Sequence, residues 1–229
     1  MRDDDADRLL APLPSGRHGL TREQVTRSQR MRLLAAAIAV AGSDGYAAMT
    51  VSAVIAQANV SRKTFYEQFA DREHCFAAAY EALTRRALAR VHRAAAIDAP
   101  WPERLRAALA WRLRALATRP HEARVAFVEV LAAGPRALAL RERAAYELAP
   151  LFVPGFEAAP AGAAIPRSMP TAVAGALAEL IATHVRSGDA AGLPALLPDL
   201  LFCALAPFVG PVAAAAAVAG AVPAGTAVA

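Results

Sequence analysis

The chain has 229 residues, 56% of them hydrophobic but only 6% aromatic, and carries a formal charge of +5 with a pI near 9.9. That length allows one large domain or two small ones around a real buried core. Alanine dominates the apolar content and has the highest helix propensity, so an all-α protein is expected, and no segment alternates apolar and polar residues long enough for a sheet. The positive charge fits a polyanionic partner without requiring one. Cys75 and Cys203, far apart in a helical chain, suggest reduced thiols in a cytoplasmic protein and not a disulfide framework.

Residues 1–24 read as a flexible arm, acidic at Asp3, Asp4, Asp5 and Asp7, broken by Pro12 and Pro14, and without the basic-then-apolar order of a signal peptide. Arg17, His18 and Arg22 in this arm could enter a narrow minor groove, whose negative potential attracts arginine; a plain solvated tail is the rival reading. The first helix is expected from about Glu23 to Ser43, with Leu34, Ile38 and Ala41 inward, ended by Gly42, Asp44 and Gly45. From Arg17 to Arg72 there are eight Arg/Lys against four Asp/Glu. The basic residues gather towards the start of the first helix (Arg17, Arg22, Arg27, Arg30, Arg32) and around Arg62 and Lys63, the only lysine.

Thr50 to Phe69 reads as two short helices and a tight turn. Thr50 can cap the first, on which Val51, Val54 and Ile55 share a face. Asn59 stands where that helix must stop, and asparagine tolerates the left-handed conformation needed there. Ser61 can cap the second helix. Phe65 and Phe69, four apart, turn inward and leave Arg62, Lys63, Thr64, Tyr66 and Gln68 outside. Such a layout is a helix-turn-helix, whose second helix enters the major groove N-terminus first.

The stretch from Leu33 to Glu73 resembles the DNA-binding domain of the tetracycline-repressor (TetR) family. The resemblance rests on Gly45-Tyr46, Met49-Thr50-Val51, Val60-Ser61, Thr64-Phe65-Tyr66, Phe69 and the Asp71-Arg72-Glu73 helix start. Two positions depart from the family pattern. Asn59 replaces a usual glycine, and Ala41 replaces a large apolar residue, which suggests a thinner core under the first helix. The resemblance implies contacts at Thr64, Tyr66 and their neighbours; Thr50 and Arg72, at helix starts, are expected to hold the DNA backbone, and Ser61 is expected among the DNA-binding residues. It also implies an all-α architecture: an N-terminal three-helix DNA-binding domain joined by a long helix to a helical ligand-binding and dimerisation domain.

Beyond it, Asp71 starts a fourth helix reaching about Ile97, with Phe76, Tyr80, Leu83, Ala87 and Val91 inward and Arg85, Arg86, Arg90 and Arg93 outward. Pro100 and Pro102 mark a break. Helices follow from about Glu103 to Ala117, His121 to Ala133 and Arg136 to Phe152; residues 150–170 hold five prolines and form a loop. The last pair, Thr171 to Ser187 and Pro194 to Val209, is unusually apolar. Val173, Leu177, Leu180, Ile181, His184, Leu197, Leu200, Leu201, Leu205 and Phe208 are expected at a two-fold dimer interface, since two such faces exceed what one small domain covers. The expected division is an arm at 1–24, the DNA-binding domain at 25–85, a ligand-binding and dimerisation domain at 86–209 and an Ala-rich tail at 210–229. That tail lacks Leu, Ile and Phe, which makes it a poor membrane span and a disordered or loosely packed segment.

Little in the sequence asks for catalysis. It lacks a Gly-rich phosphate loop, a Gly-x-Ser-x-Gly elbow and a His-Glu-x-x-His pair. His74-Cys75 has no ligand set around it, and His121 and Glu122, being adjacent, point about 100° apart on a helix. No catalytic residue, metal ligand or cofactor is expected. Trp111, Phe127, Tyr146 and Phe156 could wall an apolar cavity. The leading expectation is therefore a homodimeric regulator, not an enzyme. It would bind a near-palindromic DNA operator and be released by a small apolar or amphipathic effector. The rivals are a helical ligand-binding protein or enzyme whose helix-turn-helix has become structural, and a protein-interaction module using the C-terminal helices.

Overall fold

The computed structural model describes residues 21–220, and every regular element among them is helical. Helix α1 spans Arg22–Asp44. Its start is a reciprocal box: the Thr21 hydroxyl accepts the Gln24 amide at 3.2 Å, while Gln24 Oε1 accepts the Thr21 amide at 2.8 Å. Gly45, at φ 89°, ends it. Helices α2 (Val51–Ala58), α3 (Arg62–Gln68) and α4 (Arg72–Ala95) follow. Each is capped as the sequence suggests, by Thr50 on Ala53 at 3.1 Å, Ser61 on Thr64 at 3.0 Å and Asp71 on His74 at 2.7 Å. Asn59 adopts φ 49°, the left-handed turn between α2 and α3.

The first core gathers Leu33, Met49, Phe65, Phe69 and Phe76, all essentially inaccessible. Tyr46 meets Phe76 edge-on at 5.0 Å. This core does not stop at α4. Val125, Ala126, Val130, Ala133 and Ala137 belong to the same cluster. They come from α6 (Pro120–Phe127), a 3-10 turn at Glu129–Ala132 and α7 (Pro135–Leu148). Ala41 and Gly42 explain how they fit. Ala41 is fully buried, and a Cβ on Gly42 would come within 2.5 Å of His121 Cβ. The small residues under α1 mark the seat of α6, so the core is not thin there but shared.

The second core joins α5 (Trp101–Ala117), α8 (Met169–Arg186) and α9 (Leu197–Val209). Val173, Leu177, Ile181, Leu200, Leu201, Leu205 and Phe208 are buried in it within a single chain. Their apolar stripe is consumed by intrachain packing. Of the residues expected at a dimer interface, Leu180 is exposed, while His184 and Leu197 are partly so. The uncovered apolar side of the pair instead presents Leu180 and Phe202.

Three segments differ from the sequence expectation. The helix expected from His121 to Ala133 breaks at Val128 (φ −118°, ψ −61°), because the tighter turn beyond it aims Glu129 inward. The helix expected to reach Phe152 tightens to 3-10 geometry after Leu148, at Ala149–Phe152, where Pro150 offers no amide. The proline-rich loop carries a helical turn, Gly155–Ala158, pinned where a Cβ on Gly155 would meet Phe208 at 2.5 Å and Trp101 at 2.8 Å.

The expected loose tail is a helix in its described part, α10 (Pro211–Ala219). Gly210 turns the chain at φ 82°, Ala214 is fully buried, and Arg106 Nη2 donates to the Ala217 carbonyl at 2.6 Å. Alanine's propensity and a capped last turn do what the missing large side chains were expected to prevent. Residues 1–20 and 221–229 lie outside the described residues, so the arm with Arg17 and His18 and the end of the tail do too.

The left-handed residue at position 59 gives a direct test of the turn. Asn59→Gly should leave thermal unfolding nearly unchanged, whereas Asn59→Val should cost about 1–2 kcal/mol. Calorimetric or dichroism melting of the two variants checks this.

Candidate nucleic-acid interface and effector cavity

Two arginines expected to add to a basic face are used inside the domain. Arg32 Nη2 donates to the carbonyls of Ala58 and Asn59, the latter at 2.6 Å, and so closes the C-terminal end of α2. Arg30 lies over the Phe69 ring at 4.6 Å and donates to the Gln68 carbonyl at 3.4 Å. Arg62 donates to Ser52 Oγ at 2.8 Å, tying α3 to α2. Arg72 lies over Tyr46 at 4.9 Å and remains solvent-exposed.

What stays open is the outer edge of α3. The Lys63 side chain is 87% exposed, with Glu67 at 3.9 Å as a loose neighbour. Tyr66 is 52% exposed and rests edge-on against Phe65 at 5.4 Å. Thr64, half-buried, shares a hydrogen bond with the Ser61 hydroxyl at 2.9 Å, and Gln68 is half-buried beside it. The hydroxyls of Thr50 and Ser61 are engaged with amides at the helix starts. Arg22 opens α1 and is exposed.

Behind this domain a mainly apolar cavity of about 320 Å³ opens among α4, α5, α6, α7 and α8. Phe127 lines it, and Tyr146, 65% exposed, stands at its rim. Trp111 instead faces a second, polar cavity of about 290 Å³ between α4 and α5, and Phe156 packs edge-on against Phe208 at 5.6 Å. Three lining residues were not singled out in the sequence: Tyr80 as more than core, Arg112 and Arg141. Arg112 did carry a signal, a charge placed on the apolar stripe of Leu105, Leu109 and Leu116. Burial holds its guanidinium down to about 10 and pushes the Tyr80 hydroxyl up to about 12, with Arg141 and then Arg112 pulling Tyr80 the other way.

The cavity and the DNA-binding domain meet along α6. Ala126 and Phe127 line the cavity, while His121 backs onto Gly42. Beyond the break, buried Glu129 accepts the Tyr46 amide at 2.7 Å and Arg124 Nη2 at 2.6 Å. The continuous helix α4 is thus one of several joints between the halves, with α6 and α7 among the others; sequence alone pointed to α4 only.

Among the described residues no group of three or more His, Cys, Asp or Glu side chains could hold a metal. Cys75 is buried, and desolvation pushes its thiol up to about 12, so it remains a packed thiol. His74 Nδ1 accepts the Ala70 amide at 3.3 Å. No described helix is long and apolar enough to cross a membrane.

A capped helix pair, joined by a left-handed asparagine and leaving a basic aromatic edge to solvent, is a helix-turn-helix, the motif whose second helix docks in the DNA major groove. Residues 33–79 match the family model of bacterial regulatory proteins, tetR family. That match covers the helix-turn-helix and its flanks, so this part of the chain is similar to the DNA-binding domain of that family. Solved structures similar in fold include three regulators. The fatty acid degradation regulator FadR of Bacillus halodurans aligns with a TM-score of 0.67 and 19% identity, over 77% of this chain and 94% of its own. FadR of Bacillus subtilis, solved in complex with stearoyl-CoA, gives 0.65 and 19%, over 79% and 98%. A tetR-family regulatory protein from Rhodococcus RHA1 gives 0.61 and 21%, over 79% and 97%. Among curated proteins, none matches the chain.

The reassigned Arg32 yields a prediction about folding. Arg32→Met should destabilise the protein by about 1.5–3 kcal/mol, the worth of hydrogen bonds to a charged group, while leaving the α3 edge unaltered. Denaturant unfolding of the purified variant measures it.

Proposed function

We propose that the protein is an effector-released repressor that acts as a homodimer in the cytoplasm, not an enzyme. The open α3 edge carries this reading: an exposed lysine and tyrosine on a helix whose other face is locked into the core. In the major groove, Arg62 and Lys63 would reach guanine O6/N7 or phosphate, and Thr64 and Gln68 would read base edges. Tyr66 would reach a phosphate or a thymine methyl. Thr50, Ser61 and Arg72 would hold the backbone at helix starts, where amide arrays favour phosphate.

The dimer face we assign to the uncovered side of α8 and α9, carried by Leu180 and Phe202 with His184 and Leu197 at its edges. Two recognition helices would then lie about 34–36 Å apart, across a near-palindromic operator. The effector would occupy the cavity walled by Phe127 and Tyr146, whose size sits at the low end of the roughly 300–1,000 Å³ usual for ligand sites. The stearoyl-CoA complex of Bacillus subtilis FadR supports an amphipathic molecule with an acyl chain. A ligand that fits one setting of α4 and α6 better than another would move the recognition helices. It can shift operator affinity only by its differential binding, typically about 1–3 kcal/mol.

On an operator selected from random DNA, the Lys63→Ala, Tyr66→Ala double variant should bind at least about tenfold more weakly, with unchanged helicity. Unchanged affinity in a mobility-shift titration would overturn the assignment. A Leu180→Glu, Phe202→Glu variant should sediment as a folded monomer with weak DNA binding; a monomeric parent protein would refute the dimer.

A further inference from the structure

The effector cavity contains a feature that an apolar ligand alone does not explain. Arg112 and Arg141 both line it, and neither forms a salt bridge among the described residues. Arg112 has only the face of Phe127, at 5.6 Å. The acid nearest in charge to it, Glu122, is already held by Arg86 at 2.6 Å, with Arg119 at 3.9 Å. The other carboxylate at the cavity, Glu142, belongs to an exposed residue. Both arginines act on the Tyr80 hydroxyl from within the same space. Arg112 is half-buried, destabilised in its charged form by desolvation and paired with no carboxylate, so an anion bound in the cavity would offset that cost.

Resting on the effector cavity proposed above, we propose that the effector carries a free carboxylate. Arg112, Arg141 and the Tyr80 hydroxyl hold it, while its hydrocarbon chain fills the apolar remainder of the cavity. A carboxylate matches the planar fork of a guanidinium and accepts a hydroxyl proton as well. An acyl thioester presents an uncharged carbonyl at the same depth. Its phosphates would have to lie farther out, against Arg114 and Arg119 of the adjoining polar cavity.

The test uses the full-length protein and three probes with the same chain: hexadecanoic acid, hexadecanol and hexadecanoyl-CoA, with dodecanoic acid as a shorter control. Calorimetric titration should show the acid binding at least about tenfold tighter than the alcohol. Arg112→Gln and Arg141→Gln should each remove most of that preference while leaving alcohol binding intact, and Tyr80→Phe should reduce it less. The ligand-free melting temperature of Arg112→Gln should stay level or rise, because an uncompensated charge has been removed. A fall of many degrees would show that the fold needs Arg112 and would overturn the inference. So would equal binding of acid and alcohol by the parent protein, or an acid preference that survives in Arg141→Gln. If the thioester binds tightest and depends on Arg114 and Arg119, the carboxylate is wrong although the effector cavity stands. If none of the probes binds or shifts melting, the cavity reading fails and this inference with it.

Discussion

The DNA-binding domain of this protein does not close its core by itself. Phe65, Phe69, Phe76 and Tyr46 share one buried cluster with residues far along the chain, and small domains gain from such added burial. Val125, Ala126, Val130, Ala133 and Ala137 complete that core from the other half of the chain. Gly42 makes this possible, since any side chain there would collide with His121. Glu129 then satisfies the amide of Tyr46, a backbone donor that no cap within its own domain reaches. The position of the helix-turn-helix is therefore set by packing against the same helix that lines the apolar cavity.

A division of labour among arginines follows. Arg30 and Arg32 point back into the domain, covering Phe69 and closing the carbonyl end of α2. Arg62 is tethered to Ser52, which leaves Lys63 and Tyr66 as the freest groups on α3. A short helix of seven residues would not persist alone in water. Its stability comes from Phe65 beneath it, the Ser61 cap and the Arg62 tether, so the exposed groups of α3 are presented on a fixed frame. That preorganisation limits the entropy lost on binding.

The cavity shows the opposite economy. Between α4 and α8 the fold leaves a mainly apolar space and places two arginines and a tyrosine on its walls. A filled apolar core would be more stable, and replacing a buried charge with a hydrophobic side chain often stabilises a protein. The cavity also touches α6, the helix that packs under α1, so its walls and the seat of the helix-turn-helix share one element. The second core, by contrast, takes up nearly the whole apolar stripe of α8 and α9, leaving only a narrow uncovered side for a partner.

Much of this molecule was legible in local chemistry. The three caps at Thr50, Ser61 and Asp71, the left-handed Asn59 and the inward Phe65 and Phe69 depend on neighbours within about one helical turn, so sequence order alone determines them. The family resemblance over the helix-turn-helix rests on those same local rules. What tertiary structure decided is where long-range surplus goes. An apolar stripe shows that a helix face is buried but not by what; the leucines of α9 read equally well as core or interface until α5 is seen against them. Glu129 and Tyr46 are 83 residues apart, and nothing near either one signals the other. The Ala-rich end lacked large side chains, but a buried Ala214 and the reach of Arg106 make a helix of it. Arg112 stood on an apolar stripe as a visible anomaly; only the tertiary structure shows that it lines both the apolar and the polar cavity. Periodicity records which faces are hidden, whereas the partner of each face is chosen by contacts between segments far apart in the chain.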